Sequence, residues 1–116
     1  QNKYFKKSNY RDNIFQYTMD ALIMLEKTNK KFDIIFLDAD KKNYVNYLNY
    51  IPNILNENGI LIADNVLWYG KVLGKISETD IETKAINQFN KKLKNSKQFQ
   101  TIILPLRDGI SISIKL

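Results

Sequence analysis

The chain has 116 residues, 44% of them hydrophobic and 26% charged, with a formal net charge of +6, no cysteine and no histidine. That composition suits one globular domain over residues 1–116, and it excludes disulfides, thiolate chemistry and imidazole bases or ligands. Any metal must then be a hard cation held by oxygen, and any general base must be Asp, Glu, Lys or Tyr.

The positive excess is carried by lysine and lies mostly ahead of Phe32, which reads as a solvated surface rather than a nucleic-acid interface. No apolar run approaches the roughly 18 residues needed to cross a bilayer, and no signal pattern opens the chain. A cytoplasmic protein with neither a membrane nor a nucleic-acid partner is expected. Gln1 opens the chain inside polar, helical-looking sequence without a methionine, which reads as a fragment or a trimmed chain.

Residues 1–9 look like the end of a helix. Ile14 to Tyr17 is a candidate short strand, rich in aromatic and β-branched side chains. Thr18 to Lys27 reads as a helix capped by Thr18 or Asp20, with Ala21, Leu22, Met24 and Leu25 as its buried stripe. Asn29 to Lys31 turns into an apolar run, Phe32 to Leu37, that ends abruptly in Asp38-Ala39-Asp40-Lys41. A second run, Gly59 to Ala63, ends in Asp64-Asn65. Short apolar runs bounded by polar breakers read as strands buried on both faces. Between them Tyr44, Tyr47, Leu48, Ile51, Ile54 and Leu55 recur three and four apart, a helical spacing that Pro52 should kink or divide.

Two strands joined by one crossover form a parallel pair whose carboxyl ends lie side by side. Asp38, Asp40, Asp64 and Asn65 therefore meet at the sheet edge where open α/β sheets bind ligands. Beyond Asn65 comes an apolar loop with Trp68, Tyr69, Gly70 and Gly74. A helix follows to about Lys94, capped by Ser77 or Thr79, with Ile81, Ala85, Ile86, Phe89 and Leu93 on one face. Phe99 to Leu104 and Ile110 to Leu116 close the chain as an antiparallel hairpin around Pro105 to Gly109.

Asp38, Asp64 and Asn65 supply oxygens suited to magnesium, although an Asp after a strand is often only a turn former or cap. Lys41 is a candidate general base if it sits partly buried beside a cation, and equally a simple ion-pair partner of Asp38 or Asp40. Trp68 and Tyr69 suit the wall of a pocket for a flat substrate, or an anchor in the core. The Tyr44 and Tyr47 stripe reads first as core packing.

Phe32-Asp-Ile-Ile-Phe-Leu-Asp-Ala-Asp-Lys-Lys-Asn-Tyr44, then Gly59-Ile-Leu-Ile-Ala-Asp-Asn-Val-Leu-Trp-Tyr-Gly-Lys-Val72, Glu82-Thr-Lys-Ala85 and Leu104-Pro-Leu-Arg-Asp-Gly109 resemble the cation-dependent O-methyltransferases. That family includes caffeoyl-CoA O-methyltransferase and, more distantly, catechol O-methyltransferase. The resemblance runs over essentially the whole chain. It implies an α/β, Rossmann-like class I methyltransferase sheet of seven strands in the order 3-2-1-4-5-7-6. The cofactors it implies are S-adenosylmethionine and a divalent cation, usually magnesium.

Carried over by position, Asp38, Asp64 and Asn65 look like the metal ligands and Lys41 like the catalytic base. Asp38, Asp40 and Tyr47 fall on the S-adenosylmethionine side, Ala21 against its adenine, and Trp68 and Tyr69 beside the acceptor. Met19 stands where the family has a glycine, and Tyr69 where plant members often have an asparagine. The implied reaction transfers methyl to one of two adjacent oxygens of a catechol-like small molecule. The family's glycine-rich loop and ribose-holding acid have no counterpart here. The resemblance therefore implies a C-terminal part with an incomplete S-adenosylmethionine site, lacking the first two strands. The fourth strand is left as an open apolar edge, for which a homo-oligomer, a dimer, is expected. The competing readings are a non-catalytic pairing module and a glycosyltransferase using Asp38-Ala39-Asp40 for a metal-bound nucleotide sugar.

Overall fold

The computed structural model describes residues 2–116, so Gln1, the first residue of the expected N-terminal helix, lies outside the described residues. Helices α1 (Asn2–Lys7) and α2 (Ala21–Lys27) precede strand β1 (Phe32–Leu37). A 3-10 turn (Lys41–Asn43) and two single-turn helices, α3 (Tyr44–Tyr47) and α4 (Ile51–Ile54), make the crossover to β2 (Leu55–Asp64). A second 3-10 turn (Lys71–Leu73), α5 (Ile81–Asn95) and the strands β3 (Phe99–Leu104) and β4 (Ile110–Lys115) follow.

The sheet order is β1-β2-β4-β3, with β1 parallel to β2 and both other pairings antiparallel. That is the order expected for the fourth, fifth, seventh and sixth strands of the methyltransferase sheet. Every second residue of a strand faces the same side. One face, carrying Leu61, Ala63, Ser111 and Ser113, is buried under the helices, where Tyr44, Ile51, Phe89 and Leu93 fill the core. α5 supplies Ala85, Ile86, Phe89 and Leu93 as predicted, but Ile81 is exposed because the helix starts there. Asp80, not Ser77 or Thr79, accepts the capping hydrogen bond from the Thr83 amide at 3.1 Å.

The opposite face is bare. Register aligns Ile34 with Ile60 and Ile114, and Phe36 with Ile62, Ile112 and Ile102. Ile34 and Phe36 remain 60% and 59% exposed. The expectation that β1 is buried on both faces is therefore corrected, because helices cover only one side of the sheet. β1 also forms the outer edge, with no described strand beyond it.

Three further expectations fail locally. Ile14 to Tyr17 forms no strand, since no described strand lies beside it to complete a hydrogen-bond ladder. α2 begins at Ala21 rather than Thr18, because the Asp20 side chain accepts from the amides of Leu22 and Ile23 and fixes the helix start. None of its residues is buried; Leu22 and Leu25 only lean on the core. Pro52 divides the crossover as expected, at the start of α4, but the helix ends at Ile54, and Leu55, the last residue of the helical spacing, already belongs to β2. Asn58 takes a left-handed φ of 63° inside an irregular stretch of β2, where the register shifts between Phe32 and Ile34.

Candidate active site

Leu37 pairs with Ala63, so the residues that follow, Asp38 and Asp64, leave two adjacent parallel strands side by side. Neighbouring strands are about 4.8 Å apart, which sets the two residues next to each other at the sheet edge. Asn65 adopts φ 60°, a left-handed conformation that asparagine tolerates better than most residues. Its amide donates to Asp64 Oδ1 at 2.7 Å.

Lys41 lies one turn past Asp38 and keeps only 9% of its surface exposed. Its ammonium donates to Asp38 Oδ1 at 3.1 Å and to the Tyr44 hydroxyl. The ion-pair reading of Lys41 is thus realised on Asp38 rather than Asp40. Asp40 instead accepts from the Tyr47 hydroxyl on one oxygen and from Asn43 Nδ2 on the other, both at 2.6 Å. Burial, then the hydrogen bond from Tyr47 to Asp40, pushes the Tyr47 phenol up from its ordinary value. Tyr44 is raised too, by burial first and then by the charges of Asp38 and Asp64.

The residues present fit a hard cation. Among the described residues no three acidic side chains converge, so the donor set is two carboxylates and one amide. Asp38 Oδ1 is engaged by Lys41 and Asp64 Oδ1 by its neighbour's amide. The second oxygen of each carboxylate and the Asn65 carbonyl are the donors left for a cation. Three protein oxygens with open positions for water or substrate suit magnesium, which seldom takes a closed protein cage.

The loop after Asn65 is built, not slack. Val66 is buried, and its carbonyl accepts from Asn90 Nδ2 at 2.8 Å. The Val66 and Leu67 amides donate to the carbonyls of Gly109 and Asp108. The Tyr69 amide donates to Asp108 Oδ1 at 2.6 Å. Trp68 and Tyr69 both carry positive φ, 49° and 56°, an unusual conformation for aromatic residues, with rings 5.3 Å apart. Trp68 is half-buried while Tyr69 is 80% exposed, so the pair is part anchor and part surface. Ala21 is exposed at the start of α2, away from the core.

Three residues of this region escaped the sequence reading. Asn90 and Asp108 hold the loop, and the Tyr44 hydroxyl sits inside the site although its spacing marked only a core ring. Asp108-Gly109 was legible as a turn signal, but nothing in the sequence named the loop it holds.

The O-methyltransferase family matches this chain over residues 1–116. Tricin synthase 2 of Oryza sativa subsp. japonica is 31% identical over 115 residues, covering 95% of this chain and 39% of that protein. Caffeoyl-CoA O-methyltransferase of Medicago sativa is 30% identical over 114 residues, covering 91% of this chain and 45% of that protein. The chain thus spans less than half the length of these curated relatives. The SAH-bound Podospora anserina methyltransferase PaMTH1 superposes with a TM-score of 0.85 at 25% identity, covering 99% of this chain and 54% of that one. This likeness carries the class I methyltransferase architecture, and the family match sets aside the glycosyltransferase reading. The chain belongs to the O-methyltransferase family.

Proposed function

We propose that this chain supplies the cation and acceptor half of an enzyme that moves the methyl group of S-adenosylmethionine onto one of two neighbouring oxygens of a small, catechol-like molecule. The observation that carries this reading is the pair of adjacent strand ends. They set Asp38 beside Asp64 and Asn65, with the buried Lys41 ammonium on Asp38. A divalent cation, magnesium in this reading, would supply Lewis-acid charge that lowers the pKa of an acceptor hydroxyl.

Asp38, Asp64 and Asn65 would hold that cation by oxygen. As the neutral amine, Lys41 Nζ would take the hydroxyl proton and become the ammonium, and Asp38 and Tyr44 limit where it can point. Asp40, fixed by Tyr47 and Asn43, faces the S-adenosylmethionine side together with Tyr47, and Ala21 the adenine. Trp68 and Tyr69, displayed by a loop pinned to Asp108, form the acceptor wall.

The non-catalytic pairing reading has one observation in its favour, the bare isoleucine face beside the open β1 edge. That face and edge support association with a second copy, as in a homodimer, under either reading. No helix among the described residues is long and apolar enough to cross a membrane.

Joining this chain behind the first half of the Medicago sativa relative separates the two readings. The joined protein should methylate a catechol or caffeoyl acceptor, lose that activity in EDTA and regain it with magnesium. A folded joined protein without methyl transfer would leave only the pairing module, and transfer that survives EDTA would contradict the cation.

A further inference from the structure

We propose that Tyr44 is a positioning residue for the cation site, a clamp whose hydroxyl ties the ends of β1 and β2 together and aims the Lys41 ammonium. This rests on reading Asp38, Asp64 and Asn65 as cation ligands. Tyr44 has no exposed surface, and its ring packs on Phe89 with centroids 5.1 Å apart. Filling the core would account for the ring alone. The hydroxyl does something else: it donates to the Asp64 carbonyl at 2.9 Å, lies 3.2 Å from the Leu37 carbonyl and accepts from Lys41 Nζ.

Those two carbonyls are not arbitrary points on the sheet. The Leu37 carbonyl begins the peptide that leads into Asp38, and the Asp64 carbonyl begins the one that leads into Asn65. One phenol therefore touches the backbone on which every proposed ligand hangs. A phenol also has a single proton, and two carbonyls compete for it while an ammonium points at its oxygen. Its lone pair thus keeps one Lys41 N–H turned away from the carboxylates, and Asp38 engages the ammonium through Oδ1 only. Without the hydroxyl, Lys41 loses one of its two acceptors at a site 9% exposed. The freed N–H would then turn to the second Asp38 oxygen, which a cation needs. Residues that orient ligands without touching the metal commonly change its affinity by 10- to 100-fold.

The test is a titration of the chain with Mn2+, followed by the paramagnetic resonance of the free ion, for the parent, Tyr44→Phe and Phe89→Leu. Tyr44→Phe keeps the ring and removes the clamp, whereas Phe89→Leu disturbs the ring's packing and leaves the hydroxyl. The expected result is Mn2+ binding about 10- to 100-fold weaker in Tyr44→Phe and within about twofold of the parent in Phe89→Leu. Equal affinity in parent and Tyr44→Phe, or equal losses in both variants, overturns the clamp while leaving the cation reading in place. Absence of Mn2+ binding by the parent removes the cation reading and the clamp together. A second measurement needs no substitution and covers the case of a Tyr44→Phe chain that does not fold. In the parent labelled with 13Cζ-tyrosine, Mg2+ should shift the Tyr44 signal and leave that of the distant, exposed Tyr4 unmoved. A Tyr44 signal that ignores Mg2+ overturns the clamp.

Discussion

Lys41→Met is expected to slow methyl transfer by the joined enzyme about 100- to 10,000-fold, the range for loss of a positioned general base. Methionine keeps most of the buried stem, so the fold should survive. The larger lever is the sign of the accompanying change in cation affinity. The resting Lys41 ammonium, paired with Asp38, and a cation on the same residue would be like charges sharing one carboxylate. Unit charges about 4 Å apart repel by about 4 kcal/mol at an effective dielectric of about 20. Removing the ammonium should therefore strengthen cation binding even as turnover collapses. Kinetics at saturating Mg2+, together with the Mn2+ titration, check both halves. An unchanged rate would end the general-base role, and a slow variant with weakened cation binding would recast Lys41 as a support for Asp38.

Gly109→Ala is expected to destabilise the chain by about 3 kcal/mol, against about 1 kcal/mol for Gly70→Ala. Both glycines have left-handed backbones, φ 81° and 75°, so each alanine is strained by its conformation. They differ in what a Cβ would meet. At Gly70 there is nothing within 4 Å, whereas at Gly109 the new carbon would lie 2.4 Å from Leu67 Cγ and 3.0 Å from the Leu67 amide nitrogen. That amide donates to the Asp108 carbonyl, and the Val66 amide to Gly109 itself, so relief of the clash must pull the loop that carries Trp68 and Tyr69 off its support. Urea unfolding of the two variants measures the difference, and equal losses would show that the Leu67 contact yields freely.

The strand ends were legible because they obey a local rule: an apolar run must stop where its chain leaves the sheet, and Asp38 and Asp64 mark those stops. Chain connectivity then made the two strands parallel and adjacent. The closing hairpin was legible for the same reason, from alternation on either side of Pro105 to Gly109. Ile14 to Tyr17 failed because strand propensity is an offer that only a neighbouring strand can take up. Asp80 is hidden as a cap because Ser77 and Thr79 stand ahead of it with comparable propensity; only the backbone path shows which oxygen reaches the Thr83 amide. β1 reads as doubly buried in the sequence because Ile34 and Phe36 are as apolar as Ile35 and Leu37. Nothing within the strand tells which side a helix will cover.

The Tyr44 hydroxyl was hidden for a different reason. A helical stripe reports which rings point inward, and three- and four-residue spacing says nothing about where a phenol oxygen stops. Here it stops between two carbonyls and an ammonium, because Tyr44, the first residue of α3, reaches the carbonyls of Leu37 and Asp64 at the ends of β1 and β2. Asn90 is a similar case. One polar residue beside the buried face of α5 reads as solvated, yet its amide reaches back to Val66 and fixes the exit of the second strand.

The proposed function divides the labour, with cation and acceptor groups on this chain and the grip on S-adenosylmethionine's methionine and ribose elsewhere. Calorimetric titration of the 116-residue chain tests it directly, first with Mg2+ and then with S-adenosylmethionine in the presence of Mg2+. The expected result is one Mg2+ per chain, lost on Asp64→Ala, and no tight stoichiometric S-adenosylmethionine binding. Tight one-to-one binding of S-adenosylmethionine, with Mg2+ ignored, would contradict it.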